Sequence, residues 1–343
     1  MPVVSEARLR DLCYRILIAM RTPPDIAETV TDVLVKADVR GMDSHGSRLL
    51  DMYVTQLQEG RLDPAGRVEI RQDGAIASLE GHWGFGHVGA RLAAQLAVEA
   101  AQKYGIGAAS LVHVLHIGRL GDYAEYIAEH GMIGMVMCNA NRATTPFGAT
   151  MRVFGTNPIA LGIPRRDGKY LVSDFATSTK SINRLKIYIQ HEDRLPEGII
   201  LDKDGYPTTD PHAFFAGGML LPAGGYKGYA LNMFVDIIGG ALVGAGCASL
   251  LDVSPGNGTL IIAIDVGRWR PLHEFTDEVE RLCGVIKGAP LAPESAEVLL
   301  PGELEVRATE QRRARGIPFD DQAWETLRRA WSRVGLPINE FTE

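Results

Sequence analysis

Cysteine is scarce and scattered in this chain: Cys13, Cys138, Cys247 and Cys283 lie far apart and form no C-x-x-C pair. That spacing argues against a zinc ribbon or a disulfide framework and suits a reducing cytoplasm. A surplus of positive charge is also missing. The formal net charge is -7, which disfavours non-specific nucleic-acid binding, because such binding runs on excess Lys and Arg. Long hydrophobic runs are absent too. The most apolar stretch, 230–246, is interrupted by Asn232, Asp236 and several glycines. It falls short of a membrane span and reads as a buried helix. The opening MPVVSEARLRDLCYRILIAM mixes charges into its apolar positions, unlike a signal peptide. There is no internal repeat and no low-complexity tract.

What remains is an ordinary globular composition, 46% apolar and 22% charged over 343 residues, enough for two or three lobes. Residues 5–60 read as helices, with Leu9, Leu12, Ile16 and Met20 at helical spacing and a break at Pro23 and Pro24. A second helix is expected over 25–39 and a third from Ser47 to Gly60. Strand patterns at 75–79, 107–114 and 133–138 alternate with helices over 89–104, stopped by Gly105, and 123–130. This alternation predicts an α/β core. Segments 159–163 and 170–174 read as a hairpin, 196–228 as loop-rich, 261–265 as a strand and 276–283 as a helix. The charged end, 303–334, is helical apart from Gly316 and Pro318.

Gly84-Phe85-Gly86-His87-Val88-Gly89 matches G-x-G-x-x-G literally, after a strand and at the start of a helix. The next strand, however, ends in Val112, His113 and Val114, with no acidic residue for a ribose. Tight strand–helix packing accounts for the same glycines.

Four other segments carry candidate chemistry. In Arg40-Gly41-Met42-Asp43-Ser44-His45-Gly46-Ser47-Arg48, a histidine among small residues suits proton transfer near neutral pH, and Ser44 can orient a neighbour. On a helix, Arg48 would share the face of His45 and could grip a carboxylate with two parallel hydrogen bonds. The simpler alternative is a helix cap at Asp43 or Ser44 with His45 merely exposed. The second segment, 113–121, holds His113, His116, Gly118 and Gly121 where a strand gives way to a helix. The third, Phe154 to Pro158 with Ser173 to Ser178, offers Thr156 and other neutral donors and acceptors. The fourth, Gly224 to Tyr229, places Lys227 among glycines, as a phosphate partner or a solvated lysine.

Together the strings RGMDSHGSR, HIGRLGDYAE, FGTNPIALGIP, VSDFATS, DGYPTTDP, LLPAGGYKGYALNM and LLPGELEVRATEQRRARGIPFD, in this order over residues 40 to 320, resemble the malate/L-lactate dehydrogenase family. Its members reduce 2-oxo acids and cyclic imino acids, sulfolactate and ureidoglycolate dehydrogenases among them. The resemblance implies a non-Rossmann α/β fold: a mixed-sheet NAD(P)-dependent ketoreductase with a helical lobe from both termini. The lobes would be 1–70 plus 300–343 (helical), 71–140 (α/β) and 141–299 (cofactor-binding α/β). It implies a homodimer with the cofactor, NAD or NADP, in a cleft between lobes.

By the same resemblance His45 is the proton donor with Ser44 as relay, and His116 is the second choice. Arg48 takes the substrate carboxylate, Thr156 contacts substrate, and Ile182 and Asn183 line the pocket. Cofactor contacts fall on His116, Ile117, Gly118, Arg119 and Leu120, on Asp174, Phe175 and Ala176, on Tyr226 and Lys227, and on Pro301, Gly302 and Glu303. The chain departs from the family after DFATS: Arg184 stands where some relatives place a relay aspartate, and Leu115 replaces the usual Asn or Ser.

The expected reaction is hydride transfer between NAD(P)H and a small 2-oxo acid. Glu303 would repel a 2′-phosphate, while Arg307 or Arg119 would welcome one. Competing readings are a cyclic imino acid reductase, a metal-dependent hydrolase or lyase built on Asp43, His45, His113 and His116, and a nucleotide-binding protein without catalysis. No H-E-x-x-H spacing supports a metal site, and none is expected.

Overall fold

The computed structural model describes residues 2–250 and 256–342. Helix Glu6–Ala19 buries Leu9, Leu12, Cys13, Ile16 and Leu17, and the Ser5 hydroxyl caps it by accepting the Arg8 N–H at 3.1 Å. Pro24 opens helix Pro24–Val39, where its missing N–H costs nothing in the first turn. These two helices share one apolar core with Leu50–Gln58 and with Asp321–Arg333 from the far end of the chain. At its centre Trp331 is fully buried, its indole N–H donating to the Pro337 carbonyl at 2.9 Å. The two termini therefore build a single helical core.

The second core surrounds a seven-stranded sheet. Its spatial order is Glu69–Asp73, Ile76–Glu80, Ile106–Val112, Thr259–Asp265, Met132–Cys138, Ile159–Pro164, Tyr170–Phe175. Ile76–Glu80 and Ile106–Val112 are parallel, joined through helix Gly86–Tyr104, and the other neighbouring pairs are antiparallel. Period-2 alternation assigns the faces. Ala77, Leu79, Ala109, Leu111, Val136 and Ile261 meet the alanine-rich helix Gly86–Tyr104 and helix Gly121–Glu129. Met137, Ile159, Leu260 and Ile262 meet Leu231 and Val235 on the opposite face. A mixed sheet in this order is not the parallel doubly wound sheet of a Rossmann fold. Because the sheet takes strands from both sides of residue 140, the expected lobes 71–140 and 141–299 do not part there. A three-stranded sheet, Ile200–Leu201, Pro207–Thr208 and Met219–Leu220, packs with helix Ile182–Gln190 around Leu185, Ile200, Phe214 and Leu220.

Two expected helices differ in form. The stretch read as one helix over 230–246 is an α-helix, Tyr226–Asp236, running into a π-helical turn, Ile237–Leu242. Close approach explains the change. A Cβ on Gly239 would lie 2.7 Å from the Asn139 nitrogen, and one on Gly240 2.7 Å from the Gly246 carbonyl. The third helix begins only at Leu50. Among the described residues no helix is long and apolar enough to cross a membrane.

The G-x-G-x-x-G glycines serve packing. A Cβ on Gly86 would sit 2.8 Å from the carbonyls of Leu115 and His116, and one on Gly89 2.7 Å from Leu111. The start of this helix is covered by the 115–117 segment, leaving no approach for a pyrophosphate.

Candidate active site

His45 and Arg48 do not share a helical face, because the chain there makes two separate 3₁₀ turns, Asp43–His45 and Ser47–Leu49, with extended Gly46 between them. The cause lies in Asp38. Its buried carboxylate accepts the Ser47 N–H at 2.8 Å and lies so close to Gly46 that a Cβ there would stand 1.8 Å from Oδ1. Burial raises the Asp38 pKa to about 7, opposed by the Ser47 hydrogen bonds. Gly46→Ala is therefore expected to destabilise the fold by at least about 1–3 kcal/mol, the usual cost of overpacking, and to displace His45. Thermal unfolding of the variant measures this; an unaltered midpoint would refute the packing argument.

The Ser44 hydroxyl meets His45 Nδ1 at 2.9 Å, leaving Nε2 for a reactant. The His45 ring stacks on His116 with centroids 5.5 Å apart and planes 28° apart. Behind His116, the Tyr53 hydroxyl lies 3.0 Å from His116 Nδ1 and 3.3 Å from Nε2 of His87, which is wholly buried. Tyr53 and His87 went unread in the sequence. Tyr53 sits at an apolar position of its helix and His87 inside the literal glycine motif. Their partners are distant in the chain, so no local spacing marks them.

Burial, reinforced by the Arg119 guanidinium, lowers the His45 pKa to about 4 against the pull of Asp122. This corrects the expectation of a near-neutral value; at neutral pH the imidazole is uncharged. Burial lowers His87 to about 4 as well, and it takes His116 well below the ordinary range, helped by the neighbouring imidazoles. The depressed folded value means that the unfolded chain binds more protons at His87 between about pH 6.5 and 4. Its contribution to stability is full above that window and is lost as pH falls through it. Removing this group by His87→Gln is expected to weaken the stability–pH slope there by up to one proton, about 1.4 kcal/mol per pH unit. Denaturant titrations at several pH values test it, and equal slopes would contradict it.

Arg48 is mostly buried and makes a loose ion pair with Asp320 at 3.6 Å. Lys186, unmarked in the sequence reading, lies near it: partial desolvation and the Arg48 charge together lower its pKa. Two cations so placed suit an anionic group. From the same helix the Asn183 amide donates to the Ser44 carbonyl at 3.2 Å, tying Ile182 and Asn183 to the histidine loop. Arg184 is exposed, with its backbone N–H on the Ser181 cap. The Thr156 carbonyl accepts from the Thr177 N–H at 3.0 Å and hydroxyl at 3.1 Å, which fixes Thr156 beside the end of strand Tyr170–Phe175.

The segments expected to hold the cofactor meet one another. Asp174 accepts the Gly121 N–H at 2.7 Å, joining 116–121 to 174–176, where Phe175 is exposed. Gly118, at φ 80°, seats His87, and Ile117 and Leu120 are buried in the sheet core. The Ala223 N–H donates to the Thr177 carbonyl at 2.9 Å, so the Gly224–Gly225 turn, with φ of 66° and 65°, lies beside the same segment. That turn starts helix Tyr226–Asp236, with Tyr226 and Lys227 exposed at its first positions. The first N–H groups of this helix, two glycines and an ammonium form a donor set that fits a pyrophosphate. Pro301 and Gly302 abut Val172, whose N–H reaches the Pro301 carbonyl at 3.4 Å.

Three polar residues behave otherwise than expected. Glu303 is engaged by Lys287 at 2.7 Å, Arg307 by Glu297 at 2.6 Å, and Arg119 is buried against Asp122 and Glu125. Arg119 therefore cannot receive a 2′-phosphate. Its ion cluster, completed by Lys36 and Arg40, faces a cavity of about 650 Å³ also lined by Tyr170 and Gly302. Neither the imidazoles nor Arg48 lines that cavity.

Of the four residues of the metal reading, Asp43 is held by Arg312 and His113 Nδ1 lies 2.7 Å from Glu80, whereas His45 and His116 stack on each other and pair with Ser44 and Tyr53.

The sequence profile described as malate/L-lactate dehydrogenase matches residues 4–328. The L-sulfolactate dehydrogenase of Methanothermobacter thermautotrophicus is 36% identical, covering 91% of each chain. The solved malate dehydrogenase of Pyrococcus horikoshii superposes with a TM-score of 0.90 at 32% identity, over 98% of this chain and 96% of that one. The delta1-piperideine-2-carboxylate reductase of Pseudomonas syringae gives 0.86 at 29%, over 96% and 100%.

Proposed function

The chain belongs to the malate/L-lactate dehydrogenase family, and from that premise we propose that it interconverts a small 2-oxo acid and its 2-hydroxy acid, with His45 exchanging the proton and Arg48 anchoring the carboxylate. The chain is an oxidoreductase acting on a hydroxy acid. The observation that carries the residue roles is the Ser44–His45 pair stacked on His116, with Asn183 linking that loop to the helix bearing Lys186.

Burial holds His45 neutral, so it is ready to accept a proton from a 2-hydroxyl. In the reductive direction the charge must be supplied by the ligand. A carboxylate drawn to Arg48 and Lys186 brings negative charge close to the imidazole and raises its pKa, coupling substrate binding to proton uptake. For Nε2 to exchange the proton Nδ1 must carry its hydrogen in both states, and the Ser44 hydroxyl accepts from it throughout. Arg48 would hold the carboxylate so that the 2-carbon is presented in one orientation. Lys227 and the helix start at Tyr226 would take the pyrophosphate, and 116–120, 174–176 and 301–303 would flank the rest of the dinucleotide. When bound, the nicotinamide supplies the hydride. Arg307 and Arg119 are already engaged by carboxylates, which supports NAD over NADP. A homodimer completes this reading, covering the exposed Phe234, Ile237 and Leu242; sedimentation tests it.

A cyclic imino acid is the second reading, favoured by the fold shared with the piperideine carboxylate reductase. A C=N acceptor makes the same demands on His45 and Arg48. The test is a screen of 2-oxo acids and cyclic imino acids with NADH and NADPH, following loss of reduced nicotinamide. Turnover of 2-oxo acids with NADH is expected. Turnover of imines alone favours the second reading, and cofactor binding without any turnover would overturn both.

A further inference from the structure

We infer that the Tyr53 hydroxyl and His87 form a directional hydrogen-bond chain that locks His116 as a neutral imidazole protonated on Nε2, making His116 a fixed donor and not the group that exchanges the proton. The inference rests on the reading of His45 given above, and it decides between two histidines that the sequence left as alternatives.

The direction of the chain follows from one group whose role cannot change. The Gly118 backbone N–H donates to His116 Nδ1 at 3.2 Å. A backbone amide cannot accept, so this ring nitrogen must carry a lone pair. The Tyr53 hydroxyl, 3.0 Å from the same nitrogen, must then also donate to it. Having used its single proton, that hydroxyl can only accept from Nε2 of His87, 3.3 Å away, so His87 carries its proton on Nε2. The remaining His87 nitrogen, Nδ1, is buried without a partner among the described residues. A bare lone pair is what the chain predicts there, and it is more tolerable in a buried place than an orphan N–H.

Two donors therefore converge on His116 Nδ1. Protonating that nitrogen would set its new N–H against the Gly118 amide and the Tyr53 hydroxyl, and would break both contacts. The imidazoles of His45 and His87 also oppose a charge on His116, as does burial. Nε2 is left with its proton, available as a hydrogen-bond donor in both directions of the reaction. His45 has no such lock, since its Nδ1 partner is a hydroxyl that can accept, leaving Nε2 to gain or lose the proton. Gly118 supports the arrangement sterically: a Cβ there would stand 3.0 Å from the His87 ring and push it from its seat against Tyr53. Tyr53 and His87 are thus positioning residues acting through His116.

Ring-nitrogen NMR of the whole protein, with ¹⁵N-labelled histidine and His116 and His87 assigned by substitution, tests this without reference to activity. The expected spectrum shows both rings neutral at pH 7 with the proton on Nε2. A protonated Nδ1 on His116, or a cationic His116 ring, would overturn the inference, whatever the substrate screen gives. Tyr53→Phe keeps the ring packing and removes both hydrogen bonds. The Gly118 amide still holds Nδ1, so the proton is expected to stay on Nε2, the Nδ1 shift to move as one of its two donors is lost, and kcat to fall about tenfold, the effect of losing one orienting hydrogen bond. His87→Gln, whose amide can still donate to Tyr53, is expected to keep the wild-type His116 pattern. A Tyr53→Phe protein with an unchanged His116 spectrum and unchanged kcat contradicts the positioning role. If that variant does not fold, the wild-type spectrum decides alone.

Discussion

His45→Ala is expected to lower turnover by about 10²–10⁴-fold, the range for removing a general acid–base group, while nicotinamide binding measured by fluorescence titration stays intact. The expectation follows from which ring nitrogens are free. Nδ1 of His45 is taken by Ser44, and its Nε2 remains for a reactant. His116 cannot substitute, because its Nδ1 already receives the Gly118 amide. Ser44→Ala should be milder, since it removes the orienting hydroxyl and leaves the imidazole. Steady-state rates in both directions measure the effect. Full activity in the alanine variant would assign the proton to another group.

Arg48→Ala is expected to raise KM for 2-oxo acids about 10–100-fold, with a smaller change in kcat. A charge-assisted hydrogen bond contributes about 1.5–3 kcal/mol, and each 1.4 kcal/mol is a tenfold change in affinity. The 3.6 Å pair with Asp320 is loose, so a ligand carboxylate can compete for the guanidinium. Lys186 keeps the loss from being larger, because one cation remains beside the vacated position. Arg48→Lys should restore little, since an ammonium lacks the planar fork that matches a carboxylate. A KM that does not move with either substitution would remove Arg48 from substrate binding.

The fold was legible where burial follows a simple period. The alternation through 107–114 and 133–138 announced strands, and the apolar face at Leu9, Leu12 and Ile16 announced a helix, because these residues are sorted by local geometry. The loop at His45 was not legible. Its departure from a helix depends on the buried Asp38 carboxylate filling the space beside Gly46, a contact between a helix and a loop that no helical or strand period encodes. The glycine motif misled for the same reason, since Gly86 and Gly89 serve contacts with 115–117 and Leu111 and not a phosphate. The His45 pKa was misjudged because burial, a property of the folded whole, outweighs the ordinary value. Tyr53, His87 and Lys186 escaped notice because each acquires its role from partners that only the fold brings near. The charges of Arg119, Glu303 and Arg307 were visible, whereas their engagement with Glu125, Lys287 and Glu297 was not.

A crystal structure of the ternary complex with NAD and a 2-hydroxy acid interrogates the central claim most directly. The substrate carboxylate should lie on the Arg48 guanidinium, with its 2-hydroxyl within hydrogen-bonding reach of His45 Nε2 and the nicotinamide ring over the 2-carbon. A dinucleotide bound elsewhere, or a substrate whose hydroxyl faces away from His45, would contradict it.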